Sequence, residues 1–337
     1  MSSHLDAVTA VILIPIVAAF ILLIVPPYRL SAQLNMLASA LTLGAAVLLL
    51  FDRPQAGIYL FVDDLNIVFI VLNTLVGFTT SVFSATYIGH ELETGRLRPA
   101  QIRFYHAMFQ CMMFGMNLAL VANNIGLMWV AVELATLTTV VMVGIYRTHE
   151  ALEAAWKYFI LGSVGIAFAL FGTILVYMAA QPIVGEGTNG MIWTLLVQKA
   201  AAFDPAILNL AFVFLLLGYG TKVGLAPLHA WLPDAHAEGP TPVSAVLSGL
   251  LLNVALYALL RFKILLAANP AAVAPGNLMV ALGLLSLIFA SFMLYRRRDI
   301  KRLFASVSSE HRGISVFPFG MGGPLANFAG LLHMTMH

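Results

Sequence analysis

Apolar stretches long enough to cross a membrane follow one another along the whole chain. They cover approximately residues 8–25, 32–51, 65–88, 105–122, 127–146, 156–180, an interrupted stretch that starts near 206, 243–266, 274–295, 303–321 and 324–337. Because a lipid-spanning helix needs ~20 such residues, the pattern predicts an all-α, polytopic transmembrane bundle of roughly ten or eleven spans. No basic segment precedes the first stretch and no small-residue cleavage site follows it, so we expect a retained span and not a signal peptide.

The seventh stretch is broken by glycine and proline. Three glycines and two prolines fall within sixteen residues, at Gly218, Gly220, Gly224, Pro227 and Pro233. Such a break exposes backbone groups that lipid cannot satisfy, and it is tolerated only where it is buried in protein or lines water. Breaks of this kind often carry transport sites. A simple proline kink, packed by its neighbours, is the alternative interpretation.

Composition excludes several classes of protein. Charged residues make up 9% of the chain and apolar residues 61%, whereas soluble domains contain ~25% and ~45–50%. The net charge of +2 provides no basic face for nucleic acid. A single cysteine, Cys111, allows no intrachain disulfide, thiolate metal site or iron–sulfur cluster. Since haem ligands and flavin motifs are also missing, we expect no bound cofactor or metal and no redox chemistry within this chain itself.

The distribution of basic residues between alternate loops predicts the orientation. Ten basic residues follow odd-numbered stretches: Arg29, Arg96, Arg98, Arg103, Arg147, Arg296, Arg297, Arg298, Lys301 and Arg302. Four follow even-numbered stretches: Arg53, Lys199, Arg261 and Lys263. Cytoplasmic loops carry the excess of lysine and arginine, so this count predicts a multi-pass protein whose N-terminus lies outside.

We single out six candidates among the ionisable side chains within or beside the apolar stretches, where a charge costs roughly 2.5–3.5 kcal/mol. They are Glu133, Lys157, Lys222, His229, His333 and His337. Glu133 and Lys222 together would share that cost. A nearby carboxylate favours the charged lysine and burial favours the neutral one, so the pair forms a candidate proton switch. A static buried ion pair that fixes helix packing is the alternative.

The remaining ionisable residues allow two interpretations each. His333 and His337 share one helix face and suit a proton relay, or they are hydrogen-bonded core histidines; a metal site lacks a third ligand. Lys157 carries protons or extends towards the interface beside Glu153. Polar residues at the start of the tenth stretch either begin a wet path or form the wet end of a helix. These residues are Ser306, Ser308, Ser309, Glu310 and His311.

Several segments resemble a known family. Residues 220–236, GTKVGLAPLHAWLPDAH, look like the broken seventh helix of the antiporter-like subunits of respiratory complex I, Mrp antiporters and group 4 hydrogenases. The surroundings of Glu133 and the segments 153–159, 299–311 and 333–337 match the same family in order. Residues 322–333 are most similar to the hydrogenase-4 component F branch.

This resemblance implies a bundle with two inverted repeats, each centred on a broken helix. We therefore expect N-terminal helices and a charged loop in 1–103, a first repeat in 104–267, and an incomplete second repeat in 268–337. The family's eighth helix usually carries a lysine or histidine, but here the matching stretch offers Ser248 and Asn253. The chain also stops before the family's broken twelfth helix, so we expect the native protein to be longer or the pump to be incomplete.

The resemblance predicts a proton-translocating membrane subunit of a complex I-like or hydrogenase-4-like redox-driven pump in a bacterial inner membrane. Lys222 would carry the proton and Glu133 would modulate it, with His229 near the uptake point and His333 and His337 continuing the relay. Lys157 is a further candidate. Partners would be other membrane subunits, lipid and protons or sodium, and not nucleic acid. The alternatives are an Mrp-type sodium/proton antiporter subunit, the membrane subunit of an energy-coupled inorganic carbon transporter, and a passive anchor for a hydrogenase.

Overall fold

The computed structural model describes residues 6–25, 27–295 and 299–337. The helices in this part are α1 (Ala7–Ile24), α2 (Tyr28–Leu48), α3 (Asp64–Glu93), α4 (Pro99–Val121), α5 (Ile125–Val143), α6 (His149–Val184), α7 (Trp193–Lys199), α8 (Pro205–Val223), α9 (Leu232–Glu238), α10 (Thr241–Val246), α11 (Leu252–Ala267), α12 (Gly276–Leu294), α13 (Ile300–Met321) and α14 (Pro324–Met336). The all-α fold class is confirmed.

Nine segments of the described chain are long and apolar enough to cross a membrane. They include α10 and α11, which a π-helical turn at Leu247–Leu251 joins into a single span. The tenth predicted span forms α13, which has 22 residues but is too polar to count among the nine. The eleventh forms α14, which has 13 residues. The protein is a multi-pass membrane protein.

Short polar side chains start many of the helices. A side-chain oxygen accepts a hydrogen bond from a free N–H of the first turn, which stabilises a helix start by ~1 kcal/mol. The residues that do so are Asp63 at α3, Asn124 at α5, Thr148 at α6, Asp204 at α8 and Asp299 at α13. These caps set where each span begins, and so they set the depth of its central residues.

Glycines allow α6 and α8 to approach closely. A Cβ at Gly165 would lie 2.7 Å from the Thr221 side chain, and one at Gly218 would lie 2.4 Å from the backbone nitrogen of Ala169. Small residues at such contacts let helices pack by close van der Waals contact in lipid, where the hydrophobic effect does not drive association. This close approach places the last turn of α8 against α6.

An ion pair between a buried arginine and a partly exposed aspartate connects α11 to the segment before α3. Both terminal nitrogens of Arg261 lie 2.7 Å from the carboxylate oxygens of Asp63. The guanidinium also lies 4.5 Å from the Trp193 ring centre and 4.7 Å from that of Phe61. Burial tends to raise the pKa of the Asp63 carboxyl, but the hydrogen bonds and charge of Arg261 outweigh it and hold this pKa below its usual value.

Seven of the basic residues used to predict the orientation lie in helices and not in loops. Arg261 and Lys263 lie within α11, and the other five, which lie nearer to helix ends, are Arg29, Arg103, Lys199, Lys301 and Arg302. Three more, at 296–298, lie outside the described residues. The outward N-terminus therefore stays a prediction, as does the division of the chain at residues 103 and 267.

Candidate functional site

The seventh span is interrupted in its second half. Helix α8 ends at Val223, and Gly224 follows with φ +81°, a left-handed conformation that suits glycine. The chain then crosses eight residues before α9 starts at Leu232. The predicted break is therefore a complete interruption of the helix and not a kink within it.

Backbone groups at this break find partners on neighbouring helices. The Ala226 N–H donates to Ser286 Oγ of α12 over 2.9 Å, and Ser309 Oγ of α13 donates to the Gly224 carbonyl over 2.7 Å. The Trp231 indole N–H donates to the Thr221 carbonyl over 3.0 Å. Since each unsatisfied group would cost several kcal/mol in lipid, these contacts make the break possible at membrane depth.

Lys222 and Glu133 meet beside the break. Lys222 Nζ lies 2.9 Å from Glu133 Oε2. The side chain of Lys222 is 3% exposed and that of Glu133 is 16% exposed. Glu133 is near the middle of α5, and Lys222 is in the last turn of α8. The sequence analysis treats these two residues as a candidate pair, and the structure places them in direct contact.

Three residues of α6 and the break surround this pair. A Cβ at Gly162 would lie 3.2 Å from Lys222 Nζ, so the lysine tip occupies the space that the glycine leaves. The Tyr158 ring stacks on Trp231 with ring centres 4.2 Å apart, and its hydroxyl lies 2.9 Å from Thr139 Oγ1. Packing against Gly162 therefore limits the position of the lysine tip, in addition to the ion pair.

A cluster of three histidines forms where α13 meets α14. His311 Nδ1 lies 2.9 Å from His333 Nε2, and the His311 ring stacks on His337 with centres 3.8 Å apart. His333 and His337 themselves are 6.1 Å apart between ring centres. The predicted pair thus gains a third member, His311, which contacts both. A hydrogen bond between two imidazole nitrogens allows a proton to pass from one ring to the other.

A fully buried arginine that is not among the candidates predicted from the sequence lies next to this cluster. Arg312 is 0% exposed. Its guanidinium donates to Asn253 Oδ1 and, over 2.6 Å, to the Ser248 carbonyl in the π-helical turn. No carboxylate lies within 4 Å of it in the described part of the chain. An arginine in the middle of an apolar stretch is itself a signal of function, and that rule would have identified it.

Helix α13 connects the break to the histidines. Ser309 contacts the Gly224 carbonyl, Ser308 Oγ lies 2.7 Å from Ser248 Oγ, and Arg312 binds the same turn as Ser248. Asn253 in turn donates to the Met334 carbonyl of α14 over 3.1 Å. Polar side chains of one helix therefore run from the Lys222 region to the histidine cluster.

Lys157 lies in a different environment from the other candidates. Its Nζ lies 2.7 Å from Glu153 and 3.0 Å from Asp234, and its side chain is 46% exposed. Arg302 approaches the same Asp234 within 3.3 Å. This cluster joins α6, α9 and α13 at one end of the bundle. The geometry fits the interfacial interpretation, and a part for Lys157 in proton transfer stays a prediction.

His229 lies within the break itself. It is 8% exposed, and its ring centre is 5.9 Å from that of Phe289 on α12. The described residues contain no group of three His, Cys, Asp or Glu side chains arranged to hold a metal ion. What the structure brings together is a buried acid–amine pair, a buried cation and a histidine cluster, all of which are suited to holding and moving protons.

Comparison with known proteins identifies the family of the chain. Residues 122–337 match the family described as NADH:quinone oxidoreductase/Mrp antiporter, transmembrane. The chain is 62% identical over 328 residues to the hydrogenase-4 component F homologue of Methylacidiphilum infernorum, a match that covers 97% of this chain and 69% of the relative.

Two solved structures share the fold. One is a chain of the membrane-bound sulfane sulfur reductase, an archaeal respiratory membrane complex, with a TM-score of 0.86, 22% identity, and coverage of 98% of this chain and 68% of that one. The other is a chain of respiratory complex I from Thermus thermophilus, with a TM-score of 0.74, 26% identity, and coverage of 98% and 69%. The chain therefore belongs to the NADH:quinone oxidoreductase/Mrp antiporter transmembrane family, as an antiporter-like membrane subunit related to hydrogenase-4 component F.

Proposed function

We propose that this chain translocates protons as a membrane subunit of a redox-driven complex, with its N-terminus outside a bacterial inner membrane. The observation that supports this most directly is the contact of 2.9 Å between Lys222 and Glu133 beside a broken helix. Both side chains are largely removed from solvent, and an ionised side chain at that depth has a free-energy cost of several kcal/mol. A function that uses their charge explains why they lie there.

The pair can act as a switch because two large energies oppose each other. At 2.9 Å the attraction between the two charges is about 6 kcal/mol at an effective dielectric constant of ~20. Burial of the ammonium group costs several kcal/mol in the opposite direction. When Glu133 is close and ionised, Lys222 holds a proton. When the carboxylate is protonated or moves away, burial dominates and Lys222 releases the proton.

The released proton would travel along α13 to the histidine cluster. Arg312 is permanently charged and is adjacent in sequence to His311. A fixed positive charge there disfavours a resting positive charge on the histidines, so a proton that reaches the cluster is passed on and not retained. Arg312 thereby supplies a cation to the stretch around Asn253, where the family resemblance led us to expect a lysine or histidine.

Substitution of Lys222 tests this proposal. Lys222→Met removes the amine and keeps a chain of similar length, and Lys263→Met is a matched control in α11, where the lysine donates to Asn327 over 3.2 Å. In inverted membrane vesicles that contain the assembled complex, we expect the first variant to lose redox-driven proton uptake and the second to retain it. Uptake by Lys222→Met at the rate of the unmodified protein would refute the proposal.

The same vesicles separate the alternative functions. Uptake that requires sodium would favour an Mrp-type antiporter subunit. Full uptake in the double variant Glu133→Gln/Lys222→Met would favour a passive anchor, since that variant keeps the volume of both side chains and removes both charges. A large zinc-containing partner in the purified complex would favour an inorganic carbon transporter.

A further inference from the structure

A large cleft opens between α4, α5 and α6 at the end of the bundle where α6 begins. Its volume is about 1000 Å³. The walls come from the segment before α4 and its first turns, from the last turn of α5 with the residues that follow it, and from the first turns of α6. Among the lining residues are Arg96, Arg98, Phe104, Arg147, Trp156 and Phe159. None of the charged groups of the proposed proton path is among them.

The charged side chains of the lining all have the same sign. They are Arg96, Arg98 and Arg147, and no aspartate or glutamate accompanies them. Arg96 lies 3.6 Å from Glu91, whereas Arg98 and Arg147 have no carboxylate within 4 Å in the described part of the chain. Planar guanidinium groups bind phosphate oxygens in pairs. The part of the cleft that these arginines line is therefore suited to binding a phosphate group.

Much of the remaining lining is apolar and exposed. Five large side chains are each 37% to 61% exposed, with Trp156 the most exposed of them. They are Phe104, Val141, Leu152, Trp156 and Phe159. Tryptophan and tyrosine are typical of the level at which lipid head groups meet the acyl chains. A site that binds a free anion would not need these exposed apolar and aromatic side chains.

From this combination we propose that the cleft binds an anionic phospholipid of the adjoining leaflet. The head-group phosphate would bind Arg98 and Arg147, and one acyl chain would lie against Phe104 and Trp156. Basic pockets between membrane helices favour anionic head groups, because each arginine near the surface adds about fivefold to the affinity. The inference does not depend on proton transfer, since it uses other residues and a different observation.

Photolabelling in membranes tests this site. The probe is phosphatidylglycerol with a diazirine in its acyl chain, and the comparison probe is phosphatidylcholine with the same chain. Both are added to membranes that hold the full-length chain in its assembly, and labelled peptides are mapped by mass spectrometry. We expect phosphatidylglycerol to label residues 96–104 and 140–159 several-fold more than phosphatidylcholine does, and unlabelled phosphatidylglycerol to compete.

Matched variants identify the groups responsible. Arg147→Gln should lower the labelling about fivefold and Arg98→Gln/Arg147→Gln about thirtyfold. Arg29→Gln removes an exposed arginine that does not line the cleft, and it should have no effect. Ala100→Phe fills the cleft without changing its charge, and it should reduce labelling as well.

Three outcomes would overturn the proposal. The first is equal labelling by both lipids, which would indicate an ordinary lipid-facing surface. The second is displacement of the probe by an equal concentration of inorganic phosphate, which would assign the arginines to a free anion. The third is labelling in detergent-isolated subunit but not in the assembly, which would show that a partner subunit covers the cleft.

Discussion

Gly162 gives a direct test of how closely Lys222 must be held. A Cβ at this position would lie 3.2 Å from Lys222 Nζ and 3.7 Å from the Thr136 methyl group. In Gly162→Ala the ammonium group must therefore move away by a few tenths of an ångström. Lengthening the pair from 2.9 Å by ~0.4 Å lowers its attraction by about 0.7 kcal/mol at an effective dielectric constant of ~20, which is about threefold in an equilibrium constant.

We expect proton uptake in inverted vesicles to fall about threefold in Gly162→Ala and much further in Gly162→Val. Gly44→Ala is the matched control, because Gly44 is also helical and nothing lies within 4 Å of the added methyl group. Both alanine variants gain helix propensity, so that effect cancels in the comparison. If Gly162→Ala and Gly162→Val both transport like Gly44→Ala, then the position of the lysine tip does not control transport and the reasoning is wrong.

Three further predictions concern groups that the structure places in contact. Arg312→Met should lower proton uptake at least tenfold and Arg312→Lys should retain most of it, since lysine keeps the charge; equal uptake by both variants would contradict a role for that charge. Ser286→Ala leaves the buried Ala226 N–H without its acceptor, so the free energy of unfolding in detergent should fall by about 1–3 kcal/mol. Ser291→Ala on the same helix is the control, because this exposed hydroxyl donates to the carbonyl one turn before it. That variant should lose almost no stability. Asp63→Asn leaves the Arg261 charge buried and unpaired and should be strongly destabilising at neutral pH. The Asp63 pKa is lowered in the folded state, so the ionised carboxylate stabilises the fold above its unfolded pKa of ~3.9, and this stabilisation is lost as the pH falls below that value. The free energies of unfolding of the variant and of the unmodified protein should therefore converge in acid. A difference in stability that persists in acid would show that charge is not the cause.

Most of the fold, together with the residues Glu133 and Lys222, can be predicted from the sequence because a membrane protein must place apolar residues wherever it crosses lipid. Lipid accepts only apolar stretches of a certain length. The approximate positions of the spans, a break within residues 218–233 and the costly charges of Glu133 and Lys222 can therefore be read from the sequence alone. Their order along the chain also carries the family resemblance. No contact between separate helices was needed for any of these conclusions.

Contacts between helices required the tertiary structure. The 2.9 Å separation of Glu133 on α5 and Lys222 on α8 depends on how both helices pack against α6, and the pattern of apolar residues does not encode that packing. The third histidine, His311, and the buried Arg312 join the site only because α13 lies between the break and α14. The sequence left two interpretations open for Lys157, and the structure shows that it lies among partly exposed ion pairs with Glu153 and Asp234. Hydropathy depends on each residue alone, whereas pairing depends on distances between residues far apart in sequence, and those distances exist only in the folded bundle.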